Sequence, residues 1–509
     1  MRTARTWAVA LTGVDGHLVE IEADVSNQTP GFKIVGLPDK ALGEAAQRVH
    51  NAVTNAQLEL TRRRLTVNLS PASLPKHGSG FDLGIAISAV ATGGVLDAAS
   101  IARTVHIGEL GLDGRVRPVA GVLPAVFAAA RAGFDRVVVP YANEAEARLV
   151  PGMEVRAATT LAEVAMWHGA DVAVAEVEPV DAETPPAPST DPPDLADVVG
   201  QEEAVDAMIA AAAGGHHLLM SGPPGAGKTM LARRLPGILP RLTDDEALEV
   251  ASVRSLSGAA VTVLDDLPPL EAPHHSASVA ALVGGGSRTV RPGAIVRAHR
   301  GILFLDEAAE FSRVALDALR QPLESGSIEI DRAGFRARFP ARFQLVLATN
   351  PCPCGNYGVR GAECICPPVA IRRYAARLSG PLRDRIDIDL QVARVSASRA
   401  TSSRRSGVST ADAAARVSAA RTRAAERWAK TPWRRNGEVS GAWLRQGELR
   451  LPRGVRAPLD RALERGQLTL RGYDRVLRLA WTMADLSGVD MPGVDELGRA
   501  LFLKRGLIA

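Results

Sequence analysis

An α/β protein in three parts is predicted, and three observations predict it. Downstream of residue 195, three short apolar runs are bounded by turn residues and separated by helical stretches: His217–Met220, Gly301–Leu305 and Phe343–Leu347. That is the pattern of buried parallel strands. A stretch at 171–194 carries six prolines, seven acidic residues and no Lys or Arg, as a semi-rigid tether would. Beyond about residue 395 strand signals fade, and Ala411–Trp428 and Tyr473–Leu486 read as helices. The 509 residues suit about three domains. We expect a mixed α+β domain over 1–170, a linker over 171–194, a parallel-sheet core over 195–395 and a helical lid over 396–509.

Within the first part, Trp7–Leu11 is apolar but is soon followed by Asp15, His17 and Glu20, which suits a first strand better than a signal peptide. Val19–Val25 alternates apolar and polar residues, as a strand with one wet face does, and Leu65–Leu69 reads as another. Phe81–Val95 and Val122–Ala132 read as buried helices. The composition, 46% hydrophobic and 23% charged, is that of a globular protein, and no apolar run approaches the ~18 residues of a membrane span. Four cysteines in the whole chain exclude a disulfide-dense scaffold. A cytoplasmic protein without a membrane partner is the expectation.

Charge is polarised along the chain. Residues 1–194 hold 23 acidic against 16 basic residues, whereas 394–509 hold 23 basic against 11 acidic. A basic last third is consistent with a polyanion partner such as nucleic acid. Arg outnumbers Lys 54 to 6, so a compositional bias accounts for the same excess.

The segment Gly222-Pro223-Pro224-Gly225-Ala226-Gly227-Lys228-Thr229 directly follows the first buried run and matches G-x-x-x-x-G-K-[ST]. Its glycines allow backbone N–H groups to close around the β- and γ-phosphates of ATP, and the next helix adds the positive end of its dipole. Lys228 brings a point charge to those phosphates, and the Thr229 hydroxyl is the expected Mg²⁺ ligand. The second run ends in Asp306-Glu307, two carboxylates where open α/β sheets bind ligands. Asp306 is expected to hold Mg²⁺ through water and Glu307 to polarise the attacking water. The third run ends at Thr349-Asn350, where the amide can orient that water.

Lys228, Asp306-Glu307 and Asn350 resemble the Walker A, Walker B and sensor-1 elements of AAA+ ATPases. Glu271-Ala-Pro-His274-His275-Ser276, Gly284-Gly285-Gly286, Arg291-Pro292-Gly293 and Ala298-His299-Arg300-Gly301 are similar to one branch, the magnesium-chelatase-like ATPases called YifB or ComM. The similarity runs from Trp7 to Leu486. The chain departs from the branch at Glu271, where an arginine is usual, so no anion contact is carried over there. The resemblance implies an ATPase with ATP and Mg²⁺ as cofactors. It aligns Arg385, in Leu378–Asp387, with an arginine finger that enters a neighbour's ATP site. Read without the family, Arg385 is a salt-bridge partner of Asp384 or Asp387. Leu468–Tyr473 resembles the start of the sensor-2 helix, which implies Arg471 as the lid's γ-phosphate reader, with Arg475 as runner-up. A finger acting in trans implies a homo-hexameric ring.

The resemblance also implies the substrate. ComM relatives drive branch migration of DNA recombination intermediates, so branched or single-stranded DNA is the expected partner. The segment Ser325–Phe339 resembles the hairpin inserted before sensor 1, where Arg332, Arg336 and Arg338 either track phosphates in a pore or pack against an adjacent subunit. A magnesium-chelatase motor subunit remodelling a protein partner is the alternative.

All four cysteines fall in Cys352-Pro-Cys354 and Cys364-Ile-Cys366. Two C-x-C pairs on a glycine-containing loop can converge on a tetrahedral structural Zn²⁺; free thiols and redox disulfides are the other readings. Leu74–Asp82 and Gly108–Gly133 resemble the Lon protease domain. Lon pairs a serine with a lysine. Alignment puts Gly80 at the serine position, with Ser79 one place early, and Leu123 at the lysine position, leaving Lys76 as the one lysine nearby. Peptidase activity is therefore disfavoured, and a binding or ring-forming collar that can meet a protein partner is expected.

Overall fold

The computed structural model describes residues 3–36, 44–180, 191–259, 261–285, 291–332, 335–359, 361–395 and 407–505. Two sheets organise them. The first contains β1 (Thr3–Thr12), β2 (Asp15–Ser26), β3 (Gly31–Val35), β4 (Arg64–Ser70) and β5 (Thr104–His106). A small hairpin, β6 (Glu109–Leu110) and β7 (Val116–Arg117), precedes β8 (Arg136–Pro140) and β9 (Glu154–Ala158). Seven of these form a mixed sheet in the order β3-β4-β2-β1-β5-β8-β9. A two-residue loop, Gly13-Val14, closes the β1–β2 hairpin, with Gly13 at φ +66° where a side chain would be strained.

The alternation read in Val19–Val25 has its physical cause in two different faces. Val19, Ile21 and Ala23 are buried under the helices Ala45–Asn55 and Asp82–Ala91. Val9, Leu11 and Leu18 point the other way and pack under the helix Val122–Arg131. The expected helix Phe81–Val95 stops at Ala91, because Thr92 turns its hydroxyl onto Ala89 O and Gly93-Gly94 follow, Gly94 at φ +78°.

The second sheet is all parallel. It contains β10 (Leu218–Ser221), β11 (Leu270–Glu271), β14 (Ile302–Leu305), β17 (Gln344–Thr349) and β18 (Ile388–Gln391) in the order β11-β14-β17-β10-β18. Two hairpins project from it, β12 (Gly284–Gly285) with β13 (Arg291–Pro292), and β15 (Ser327–Arg332) with β16 (Phe335–Pro340). The three expected runs are β10, β14 and β17, each buried along its length apart from the part-exposed Ser221. Burial of each large side chain there contributes about 1.5–3 kcal/mol. The edge strands β11 and β18 escaped the sequence reading, since two to four residues show no period.

The last part is helical: Thr410–Arg427, Arg453–Glu464, Leu470–Ser487 and Val494–Arg505. Leu470–Ser487 is framed by local chemistry, with the Thr469 hydroxyl accepting from Gly472 N–H and Gly488 at φ +73° ending it. Its apolar face joins the helix Glu202–Gly214 and strand β10 in one core cluster. The first part is also docked on the second. Gly121 N–H donates to Ser255 O at 3.1 Å, and Ala251 and Val261 share a cluster with Val122 and Val126.

Candidate functional site

The loop Gly222–Thr229 leaves β10 at its carboxyl end and runs into the helix Lys228–Ile238. Gly225 and Gly227 sit at φ +73° and +90°, the left-handed backbone that turns a phosphate loop. Lys228 donates to Gly222 O at 2.7 Å, Pro223 O at 3.0 Å and Asn350 Oδ1 at 3.1 Å. Burial lowers the pKa of its ammonium, while Asp306 and Glu307 pull it back up. The Thr229 hydroxyl donates to Asp306 Oδ2 at 2.6 Å. That adjacency of hydroxyl and carboxylate suits Mg²⁺, which takes oxygen ligands and would draw Thr229 and Asp306 as neighbours. The expected residues of the loop, the aspartate and the sensor asparagine thus meet at one end of the sheet.

Glu307 occupies an unusual backbone position, φ +49° and ψ 45°, just beyond β14. Non-glycine residues there carry strain of about 1–3 kcal/mol, which an over-determined surrounding must hold. Its N–H donates to Asp306 Oδ1 at 2.9 Å, and its carboxylate meets His275 Nδ1 at 3.0 Å. His275 carries no signal of its own in the sequence, since its contact with Glu307 spans loops after β11 and β14 and leaves no periodic trace. Gln201 was missed altogether. It is buried against the phosphate loop and donates to Ala226 O at 2.6 Å, from the turn that precedes the helix Glu202–Gly214. Glu271 accepts from Arg297 at 3.1 Å and is spent on that pair.

Arg385 and Arg471 lie elsewhere. Arg385 precedes β18, whose first residue Ile388 pairs with Leu218 at the start of β10, whereas the phosphate loop follows the far end of β10. Four residues of strand, about 13 Å, therefore separate the two ends. The Arg385 guanidinium donates to Pro381 O at 2.6 Å and pairs with Glu324, not with Asp384 or Asp387. Asp387 is taken by Arg475 at 2.5 Å. Burial lowers the Arg385 pKa, and Arg320, Arg471 and Arg475 add like charge. Its buried Nε has no hydrogen-bond partner among the described residues. Arg471 belongs to this arginine group beside Arg385.

The four cysteine sulfurs lie within 4.8 Å of one another. Cys352–Cys354 is 3.4 Å, and Cys352–Cys364 and Cys354–Cys364 are each 3.7 Å, far beyond a disulfide and close to the ~3.8 Å edge of a tetrahedron with Zn–S bonds of ~2.3 Å. Backbone N–H groups of Cys354 and Tyr357 donate to Cys366 and Cys352 Sγ at 3.4 and 3.3 Å. The residues fit a structural zinc. The loop also abuts the phosphate loop: at Gly355, φ +80°, a Cβ would stand 2.4 Å from Pro224 Cδ.

The Lon-like positions are not assembled for catalysis. Lys76 is fully buried, and its Nζ donates to Gly36 O, Pro71 O and Leu74 O at 3.2, 2.6 and 3.2 Å. Leu123 is buried in the core, and the Ser79 hydroxyl donates to Glu109. On the β15–β16 hairpin, Ala337 and Phe339 pack inward while Arg336 and Arg338 are exposed, Arg336 pairing with Glu329. The Arg332 side chain lies outside the described residues, as do Gly286, Ala333 and Gly334. Among the described residues no helix is long and apolar enough to cross a membrane.

Comparison with known proteins is consistent across the chain. Residues 194–400 match the model "Magnesium chelatase, subunit ChlI", residues 21–143 match "Subunit ChlI of Mg-chelatase", and 407–504 match "Magnesium chelatase, subunit ChlI C-terminal". A protein of Mycobacterium tuberculosis is 49% identical over 99% of both chains. Competence protein ComM of Haemophilus influenzae is 41% identical, over 98% of this chain and 97% of its own. YifB of Escherichia coli is 39% identical, over 97% and 95%.

Proposed function

The chain belongs to the magnesium-chelatase-like AAA+ ATPases of the YifB/ComM family, and on that premise we propose that it is a ring motor that hydrolyses ATP at the seams between its copies and acts on branched or single-stranded DNA. The observation that carries the seam is the position of Arg385, about a strand's length from the phosphate loop of its own chain. A guanidinium there is out of reach of its own chain's nucleotide, which supports a role toward a neighbour's. In this reading Lys228 grips the β/γ-phosphates, Glu307 takes the proton of the attacking water, Asn350 orients that water, and Arg385 of the adjoining copy stabilises charge on the transferring phosphoryl. Thr229 and Asp306 would hold Mg²⁺, which when bound neutralises phosphate charge. A hexamer is the expected ring.

DNA is favoured as substrate by the exposed Arg336 and Arg338 on the projecting hairpin, by the basic last third and by the competence role in the ComM name. Zinc in the four-cysteine loop is assigned a bracing role beside the phosphate loop, and the cytoplasm is the expected location. Mixing the Lys228→Ala and Arg385→Ala chains tests the seam: each alone should be inactive, and the mixture should recover ATPase activity where an intact loop meets an intact finger. No recovery would reject it. ATPase stimulation by forked or four-way DNA over plain duplex tests the substrate, and indifference to all of them would reject DNA.

A further inference from the structure

A cavity of about 840 Å³ opens where His217, Gly301 and Gln344 start the parallel strands, at the end of the sheet away from the phosphate loop. Ligand pockets commonly fall in the range of ~300–1,000 Å³. Its other wall is the segment Pro432–Glu438 and the helices carrying Arg421 and Arg478. Among the described residues, every carboxylate of the wall is already committed: Glu246 to Arg300 at 3.0 Å, Glu438 to Arg435 at 2.5 Å, and Glu324 to Arg385.

Four arginines of the same wall form no salt bridge among the described residues. Arg421 donates only to Ala212 O at 3.0 and 2.7 Å, Arg478 only to Val439 O at 2.6 Å, and Arg434 only to Thr431 O and Trp433 O at 3.3 and 3.2 Å. Among the described residues Arg342, which also lines the cavity, makes no side-chain hydrogen bond. Guanidinium groups that form no ion pair, gathered in a part-enclosed space, are ready partners for an entering anion, although Glu438 and Glu246 already offset Arg421, and Asp387 and Asp474 offset Arg478. Burial, with Arg435 nearby, pushes the Arg421 pKa down to about 9 in spite of the opposing pull of Glu438 and Glu246. Trp433, part-buried, also lines the cavity, its ring packing edge-on against Trp443 at 5.8 Å and Trp428 at 6.4 Å.

We propose that this cavity is a second phosphate-binding site, separate from the P-loop, that takes a nucleoside phosphate, with the arginines on the phosphates and Trp433 against the base. Guanidinium forks suit phosphate oxygens, and base–aromatic stacking is worth ~1–3 kcal/mol. A nucleic-acid strand offers the same chemistry. Closure by the strand ends on one side and the lid on the other favours a single nucleotide. The cavity borders the Arg385–Glu324 pair that the seam reading turns toward a neighbour's nucleotide, and binding by a chain whose phosphate loops are silenced in every copy tells the two apart.

The test uses the full-length chain with Lys228→Ala, which silences the phosphate loop. Titration of ADP by calorimetry should still show one site per chain. Adding Arg342→Glu and Arg434→Glu, both at exposed positions, should weaken that binding at least tenfold with circular dichroism unchanged. Trp433→Ala should weaken ADP but leave pyrophosphate binding as it was. Absence of ADP binding in the Lys228→Ala chain would overturn the proposal, as would binding indifferent to the charge reversals. Capture of an oligothymidylate without ADP binding would also overturn it, naming a strand as the occupant.

Discussion

His275 Nδ1 lies 3.0 Å from a carboxylate oxygen of Glu307, the residue held at φ +49° beyond the second core strand. The contact ties the proposed general base to a loop that follows the edge strand β11. A carboxylate anchored this way is held at one angle to the phosphate loop, and a strained backbone makes that angle dependent on its partner. His275→Ala is expected to lower kcat about tenfold with little change in KM, read by steady-state ATPase assays. His275→Asn, which keeps a donor, should recover part of the loss, and an equal fall in ATP affinity would contradict the positioning role.

Lys228 and Glu307 separate binding from turnover. Lys228 is buried among loop carbonyls, so Lys228→Ala removes the charge meant for the phosphates and should abolish ATP binding at the phosphate loop, leaving only the second site to be filled. Glu307→Gln keeps shape and loses the base, so ATP should bind normally while hydrolysis falls ~10²–10⁴-fold. Filter binding and phosphate release measure the two. Wild-type turnover in both variants would refute the site.

Arg385 is predicted to be silent in binding and decisive in turnover. It is held by Glu324 and Pro381 O, remote from its own loop. Arg385→Ala should leave ATP affinity within twofold and reduce hydrolysis ~10³-fold or more, in keeping with other arginine fingers. Untouched hydrolysis would end the seam model.

Removing zinc should be felt at the phosphate loop. The cysteine loop reaches Pro224 through Gly355, which has no room for a side chain. Elemental analysis is expected to give one zinc per chain. Cys364→Ser or chelation should raise the KM for ATP several-fold, and Gly355→Ala should do so with zinc retained. A metal-free protein of unchanged KM would assign the sulfurs no bracing role.

The N-terminal part carries a pH signature. His106 Nε2 and His168 Nε2 face each other at 3.0 Å, and both are buried. Burial drives the His106 pKa well below the ordinary range and that of His168 to about 4. Between ~6.5 and about 4 the unfolded chain therefore binds protons that the folded chain refuses, so this pair costs stability as pH falls through that window and costs nothing above it. Asp82, pushed up to about 6 by burial, acts in the opposite sense. The difference isolates the pair: melting of wild type should lose ground to His168→Asn as pH drops from 7 to 5, and parallel curves would exclude the effect.

Much of this molecule could be read before folding. The phosphate loop, Asp306-Glu307, Asn350 and the two C-x-C pairs are contiguous strings whose chemistry resides in their own backbone and side chains, at the ends of apolar runs long enough to mark strands. The short edge strands were not legible because two to four residues show no period, and the role of Gln201 was not because it depends on a loop 25 residues along the chain. The end of the Asp82–Ala91 helix, by contrast, was written locally in Thr92-Gly93-Gly94.

Sequence alone determined which groups can meet a triphosphate and which sulfurs can meet a metal. Only the tertiary structure decided who faces whom: His275 reaching Glu307, Gly355 pressing on Pro224, Arg385 paired with Glu324 instead of its neighbouring aspartates, and Arg471 gathered beside Arg385. The reason is the strand order β11-β14-β17-β10-β18, which brings distant loops to the same end of the sheet and sends residues close in sequence to opposite ends. Such pairings are chosen by packing many elements at once, and no local pattern of residues records them.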